Sequence, residues 1–519
     1  MLFIQLAAVL HFMQNIVFLV KKAVFCYNVE SMHGPGVEEY TRTVGNNIQG
    51  GTYMLNNILT EINNWMYTYL LLFLLVGTGI YFSIRTGFVQ LRLLKEAFHV
   101  LGEKAKEENG KKQVSSFQAL MISTASRVGT GNIAGIATAI AAGGPGAVFW
   151  MWIMAVIGGA SAFVESTLAQ VYKIRDGGDF RGGPSYYMEK ALGRRWLGVL
   201  FSILLIICFA YGFNGLQSFN MSSSLEYYLP GYGDSVYPMI VGLVLTIATA
   251  LVIFGGVHRI GFITSVLVPI MAGAYLLMGL VTVLFHIEEL PHIFGNILAQ
   301  AFDFQAFGGG MAGSAVVIGI KRGLFSNEAG MGSAPNASAS ASVSHPAKQG
   351  MVQVLSVFID TLLICSATAM MLLVSGVEGV SGVLDGIPYV QQAISANVGS
   401  WGIHFITVSI FAFAFSSLVG NYYYAESNIL FIRNSKKLLV VFRITCLLAV
   451  FLGAQADFSM MWNIADITMG CMATVNIISI LLLGNKALKV QKDYERQRKQ
   501  GKNPVFKARD VGIENTECW

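Results

Sequence analysis

The chain has 519 residues, of which 54% are hydrophobic and 12% charged, with a formal net charge of +5. That composition belongs to a polytopic membrane protein. The small positive charge sits mostly in loops and in the tail after Lys486, so it reads as membrane topology and not as a nucleic-acid surface.

Taken in order, residues 1–53 stand apart. Met1–Val20 is apolar and about long enough to span, but Lys21, Lys22 and a polar, Gly-rich stretch follow it. A basic leader and an Ala-x-Ala site are missing, so a signal peptide is a poor fit. The expectation is a dispensable extension ahead of a natural start at Met54. From Trp65 the spans read cleanly, near 64–84, 116–141, 146–173, 196–226, 237–256, 261–286, 294–322, 350–376, 401–431, 437–454 and 458–484. That predicts eleven. Residues 86–103 mix apolar and basic residues at helical spacing, as an amphipathic surface helix would.

Basic residues test the count. Arg92 to Lys112, Lys173 to Arg195, His258–Arg259, Lys321–Arg322 with Lys348, Arg433 with Lys436–Lys437, and the tail all fall on one side. Val377–Ala396 and Ala454–Phe458, on the other, carry no Lys or Arg. Residue 54 is thereby expected outside and Trp519 in the cytoplasm. Four cysteines, Cys208, Cys365, Cys446 and Cys471, lie inside apolar segments as small buried hydrophobes.

Two segments carry breaks that a plain membrane helix would avoid. In Ser123-Thr-Ala-Ser-Arg-Val-Gly-Thr-Gly-Asn-Ile-Ala-Gly135, Gly129 and Gly131 loosen the helix, and Thr130 and Asn132 set polar groups inside it. Phe307-Gly-Gly-Gly-Met-Ala-Gly-Ser314 is the second break. Irregular backbone at membrane depth survives only against protein or a watery cavity. Paired breaks in corresponding positions of two halves point to a secondary-transporter site. Setting the first helix aside leaves ten, five to each half, and an odd number of crossings inverts one half against the other. The expected fold is therefore an all-α, leucine-transporter-like five-plus-five inverted repeat with one extra N-terminal helix. Its parts are 1–53 as extension, 54–112 as extra and surface helices, 113–290 and 291–485 as the repeats, and 486–519 as a cytoplasmic tail, part helical and part disordered.

Gly129, Thr130, Gly131 and Asn132 suit a substrate carboxylate, since unwinding frees backbone N–H groups and the next half-helix points its positive end at an anion. The competing reading, packing through small residues, is weakened by Asn132 and Arg127 nearby. Gln217 and Asn220 lie three apart on one helix face and either hold the carboxylate or cap the break. Ser416 and Ser417 are adjacent hydroxyls in an apolar helix. With carbonyls freed at Ala125 and Val128 they offer sodium neutral oxygens, and bonding back to their own helix is an equal reading. Gly308–Gly310, Gly309 central, form the second break, and Phe307 walls a small side chain. Glu165, Asp360 and Asp466 are isolated acids in spans, with Glu165 and Arg127 read as a structural pair. Asn327 and Glu328 read as a capped, solvated loop ahead of a gate. Ala337–Ser342 reads as close helix packing. No phosphate loop, zinc spacing or nucleophile elbow appears, and no cofactor is expected.

Several stretches resemble the sodium:alanine symporters, also called the alanine/glycine:cation symporter family. They are Gly143-Gly-Pro-Gly-Ala-Val-Phe-Trp-Met-Trp-Ile-Met-Ala-Val-Ile-Gly158, Arg127–Gly135, Gly182-Gly-Pro-Ser-Tyr-Tyr-Met188 and Gly323-Leu-Phe-Ser-Asn-Glu-Ala-Gly-Met-Gly-Ser333. The resemblance runs from about Asn56 to Leu483. It implies symport of alanine or a similar small neutral amino acid with sodium by alternating access, in a bacterial-type cell membrane. It favours Gln217 as a substrate residue and the Ser416–Ser417 pair as a sodium site. At Gly420-Asn-Tyr-Tyr-Tyr-Ala-Glu426 the sequence departs from the Trp that other members carry after the Gly, which bears on side-chain selectivity. Within the family the alternatives are glycine or glutamine selectivity, or proton coupling. A channel, the alternative outside it, expects symmetric pore-lining rings, and one chain with two unlike breaks does not supply them.

Overall fold

The structure is a computed structural model, and it describes residues 56–103, 107–108, 111–176, 179–229, 231–255, 257–302 and 314–519. Ile62–Trp519 form one compact unit. It is nearly all helix. Among the described residues, two short hairpins form, Glu107–Glu108 with Lys111–Lys112 and Ile174–Asp176 with Asp179–Arg181. Among the described residues, seven helices are long and apolar enough to cross a membrane.

The first helix passes through a π-helical stretch, Met66–Leu71, into α1 (Leu72–Arg85). A turn at Val89–Arg92 leads to α2 (Leu94–Leu101), the expected amphipathic helix, which buries Ala97 and Val100. The first broken helix follows as α3 (Ser116–Arg127) and α4 (Ala134–Gly143). Next come α5 (Gly146–Val171), α6 (Pro184–Leu192), and α7 (Arg195–Ile206), which runs through a π stretch at Ile207–Phe213 into α8 (Asn214–Ser223). Helices α9 (Tyr237–Ile253) and α10 (Val257–Phe285) come next.

Helix α11 (Leu290–Ala301) follows, and the described chain resumes just ahead of α12 (Ala315–Asn327). Phe307 and Gly309 lie outside the described residues. After the buried α13 (Pro335–Ser340), α14 (Pro346–Val357) continues through a third π stretch, Phe358–Cys365, into α15 (Ser366–Leu373). The last helices are α16 (Gly386–Val398), α17 (Trp401–Ile432), α18 (Lys436–Gly453) and α19 (Phe458–Lys499).

Two expectations need correction. Lys321 and Arg322 are not topology-marking charges at the end of a span. They sit inside α12 and pair with Asp466 of α19, Lys321 Nζ at 2.6 Å and Arg322 Nη1 at 3.2 Å. Nor does the segment after Lys486 fray. Helix α19 runs on to Lys499, and residues 503–519 dock on the rest of the chain. Phe506 N–H donates to the Ser344 carbonyl, and the Trp519 indole N–H to the Gln170 carbonyl at 2.7 Å. The aromatic anchors Phe506 and Trp519 meet edge to face, so polar composition misled here.

Candidate binding site at the first break

Helix α3 ends because Val128 takes ψ 82° and Gly129 is extended, after which Thr130–Asn132 make a single 3₁₀ turn before α4. A helix that stops in an apolar interior must find partners for its orphan groups. They come from three directions. The Asn132 side chain folds back so that its Oδ1 accepts the Gly129 N–H at 3.0 Å. Gln217 of α8 accepts the Thr130 N–H at 3.0 Å, and Asn220 donates to the Thr130 hydroxyl at 2.8 Å. On the other side, Ser417 of α17 lies with its Oγ 3.0 Å from the Ala125 carbonyl, 3.3 Å from that of Val128 and 3.1 Å from that of Phe413. One hydroxyl proton therefore faces three acceptors. Such an oxygen-rich corner suits a hard cation.

Gly129 sits between these two sides. A Cβ built there would overlap the Ser417 hydroxyl and come 2.9 Å from Gln217 Nε2. Gly131 is closed differently. A Cβ there would enter the edge of the Phe325 ring of α12, so α12 lies directly against the first break. Phe325 in turn stacks tilted on Phe213 at 4.8 Å and on Trp462 of α19 at 5.1 Å. Below this aromatic wall the Asn132 amide donates to Asp360 Oδ1 at 2.7 Å, and Ser326 and Thr361 donate to Asp360 Oδ2. The Thr368 hydroxyl donates to the Asn132 carbonyl at 2.7 Å. Asp360 lies in a π-helical stretch, a local widening of the helix that recurs at functional sites.

The structure thus brings Thr130, Gly131, Asn132 and Gln217 together, with Ala125, Val128 and Ser417 alongside. It does not bring Ser416. That hydroxyl bonds back to the Phe413 carbonyl at 2.8 Å and faces Met271 Sδ at 3.7 Å, away from the break. Asn220 touches the break, and its Oδ1 has no hydrogen-bond partner among the described residues. Glu165 accepts from Asn476 at 2.8 Å and from the Gly330 N–H, while Arg127 donates to Gln353 at 3.1 Å, so each has another partner. Glu328 is not in a solvated loop. It is buried, with Ser126 of α3 donating to it at 3.1 Å. Phe325, Trp462 and Ser326 escaped the sequence reading, and Asp360 was read as an isolated acid without its place at the break. Only the polar character of Asp360 inside a span singled it out.

Comparison with known proteins then decides the family. Residues 52–508 match the sodium:alanine symporter family. The chain belongs to it. The symporter is 49% identical over 465 residues to the amino-acid carrier protein AlsT of Bacillus subtilis, covering 89% of this chain and 97% of that one. It is 46% identical to the probable sodium/glutamine symporter GlnT of the same organism, over 90% and 96% of the two chains. It is 37% identical to the sodium/alanine symporter AgcS of Methanococcus maripaludis, over 85% and 98%. In fold it resembles the crystal structure of MhsT in complex with L-phenylalanine, with TM-score 0.50 and 14% identity over 75% of this chain and 99% of that one. The chain is therefore a membrane transporter and not an enzyme.

Proposed function

We propose that this symporter imports alanine, or a similar small neutral amino acid, together with sodium by alternating access around the first break. The observation that carries the reading is the two-sided geometry at Gly129. Carbonyls and the Ser417 hydroxyl gather on one side, and the amides of Gln217 and the 3₁₀ turn on the other. Sodium occupies the corner formed by Ala125, Val128 and Ser417. The amino-acid carboxylate meets Thr130, Gly131, Asn132 and Gln217, at the positive end of α4. Phe307 and Gly309 of the second break are proposed to limit the side chain, and Phe325 closes over Gly131.

The family name and the relatives named for sodium and alanine support the substrate and the ion. Eleven crossings in two inverted groups of five, plus the extra first helix, are supported by the order of helices and by the loop charges, with the segment after Lys486 in the cytoplasm of a bacterial-type cell. The relative named for glutamine favours one second reading, an amide side chain in the same pocket.

The test is uptake of labelled alanine into proteoliposomes with and without an inward sodium gradient. Accumulation should require sodium. Glycine should compete nearly as well as alanine, because one methylene separates ligands by only about 1–3 kcal/mol. Leucine and phenylalanine should compete poorly, and amidated alanine, lacking the carboxylate, not at all. Glutamine outcompeting alanine supports the second reading. Uptake indifferent to sodium overturns both.

A further inference from the structure

The first helix lies outside the two five-helix groups, and the transport reading gives it no task. Yet it carries polar residues into a buried charge cluster. Asn63 donates to Asn463 at 2.9 Å and to Asp466 Oδ2 at 3.3 Å, and the Tyr67 hydroxyl donates to the Asp466 carbonyl at 3.1 Å. Asp466 also receives Lys321 and, through both guanidinium nitrogens, Arg322. All three charged groups are largely buried. Charges in a membrane interior are expensive and usually serve the transport path.

What Arg322 does is legible from its other face. Its guanidinium lies 4.2 Å from the centre of the Trp462 ring. Trp462 packs at 5.1 Å on Phe325, the ring that closes over Gly131, and its ring edge would lie 3.4 Å from a Cβ at Gly135. The Trp462 indole N–H is buried and has no hydrogen-bond partner among the described residues, as befits a side chain bordering ligand space. An unbroken series of contacts thus leads from the first helix to the first break.

We propose that Arg322 is a positioning residue for the substrate pocket, anchored through Asp466 to the first helix and pressing the Trp462 indole onto Phe325 so that the wall over Gly131 keeps its place. A planar guanidinium can bond a carboxylate in its plane while stacking on an aromatic face, which a lysine ammonium does not do. The arrangement also assigns the extra helix its role. It is the fixed point for α12, the half-helix that carries Arg322, Phe325 and Ser326 against the break.

The proposal rests on the transport reading for its kinetic readout, so the experiment has a second readout that does not. The full chain is reconstituted as Arg322→Lys, Trp462→Phe and the double variant. Asp466→Asn strands two buried cations and is expected to cost folding, so it is not the test. Arg322→Lys keeps the charge and loses the stack. Each single variant should raise the half-saturating alanine concentration about 5- to 30-fold, the scale of a desolvated cation–π contact, with maximal uptake retained. The double variant should be no worse than either single, since both remove one contact. Independently, the emission belonging to Trp462, taken as the difference between chains with and without Trp462→Phe, should shift on Arg322→Lys. Wild-type half-saturation in Arg322→Lys, additive losses in the double variant, or a loss of maximal uptake alone would each overturn the proposal. If the parent chain does not accumulate alanine with sodium, the transport reading falls, and the emission difference still decides whether Arg322 holds Trp462.

Discussion

Replacing Ser417 with alanine isolates the ion from the amino acid. In the structure the Ser417 hydroxyl faces the carbonyls of Ala125, Val128 and Phe413 at 3.0, 3.3 and 3.1 Å. It has one proton to give, so it cannot satisfy all three carbonyls at once. Alanine at 417 removes one oxygen from that shell, along with the hydroxyl that faces the Ala125 and Val128 carbonyls, and leaves the caps from Gln217 and Asn132 in place. Losing one such group costs about 1–3 kcal/mol, which is roughly a 5- to 150-fold rise in the sodium concentration for half-maximal uptake. Ser416→Ala is the matched control, because that hydroxyl bonds only to its own helix and to Met271. The assay is alanine uptake into proteoliposomes across a sodium series with the driving gradient held by replacement with choline. An unchanged sodium dependence in Ser417→Ala, or an equal shift in Ser416→Ala, refutes the assignment.

Gly131→Ala should abolish uptake without lowering the amount of inserted protein, and Gly131→Ala with Phe325→Leu should recover part of it, since the added Cβ collides with that ring. Recovery by neither would mean that Gly131 matters for backbone freedom and not for space. Asp360→Asn removes the charge that holds the Asn132 amide, Ser326 and Thr361. Charge-assisted hydrogen bonds in a buried network are worth about 1.5–3 kcal/mol, so the half-saturating alanine concentration should rise at least tenfold, as measured by competition at fixed sodium. Removing residues 503–519 should lower the melting temperature in detergent and open the chain to protease near Lys173, because Trp519 and Glu517 cover that surface.

Much of the break was legible, because Gly-Thr-Gly-Asn inside a long apolar segment has no bland explanation that also accounts for Asn132. Gln217 and Ser417 could be chosen by chemistry, as an amide and a hydroxyl in apolar helices. Their precise partners could not. Asp360 reaches Asn132 across 228 positions and Ser417 reaches Ala125 across 292, distances over which no local pattern carries information. Ser416 and Ser417 differ only in which way the helix turns them, and adjacency hides a rotation of about 100°. Lys321 and Arg322 read as the cytoplasmic end of the span 294–322 because the carboxylate that makes burial tolerable lies 144 positions on from Arg322, in Asp466. The π stretches at Met66–Leu71, Ile207–Phe213 and Phe358–Cys365 leave the apolar pattern intact, so hydropathy passes over them. The docked tail was missed for the opposite reason. Its composition is polar, while two aromatic residues, Phe506 and Trp519, do the anchoring.

The proposed placement of both ligands at one backbone segment has a quantitative consequence. Gly129 lies between Ser417 and the Gln217 amide, so a sodium ion on one side and a carboxylate on the other are only one residue's width apart. At a separation of about 5 Å and an effective dielectric constant of about 20, opposite unit charges attract by about 3 kcal/mol. That is roughly a hundredfold tightening of each ligand by the other, and thermodynamic linkage requires the two factors to be equal. Sodium alone leaves the positive end of α4 without an anion, and the amino acid alone leaves the carbonyls of Ala125 and Val128 without a cation. The expected result in equilibrium binding is that the sodium dissociation constant falls as alanine is added, by the same factor as the alanine constant falls when sodium is added. Ser417→Ala should shrink both factors together, because it loosens the ion that the carboxylate feels. Independent binding of the two, with neither constant moved by the other, would place the sodium somewhere other than beside Gly129.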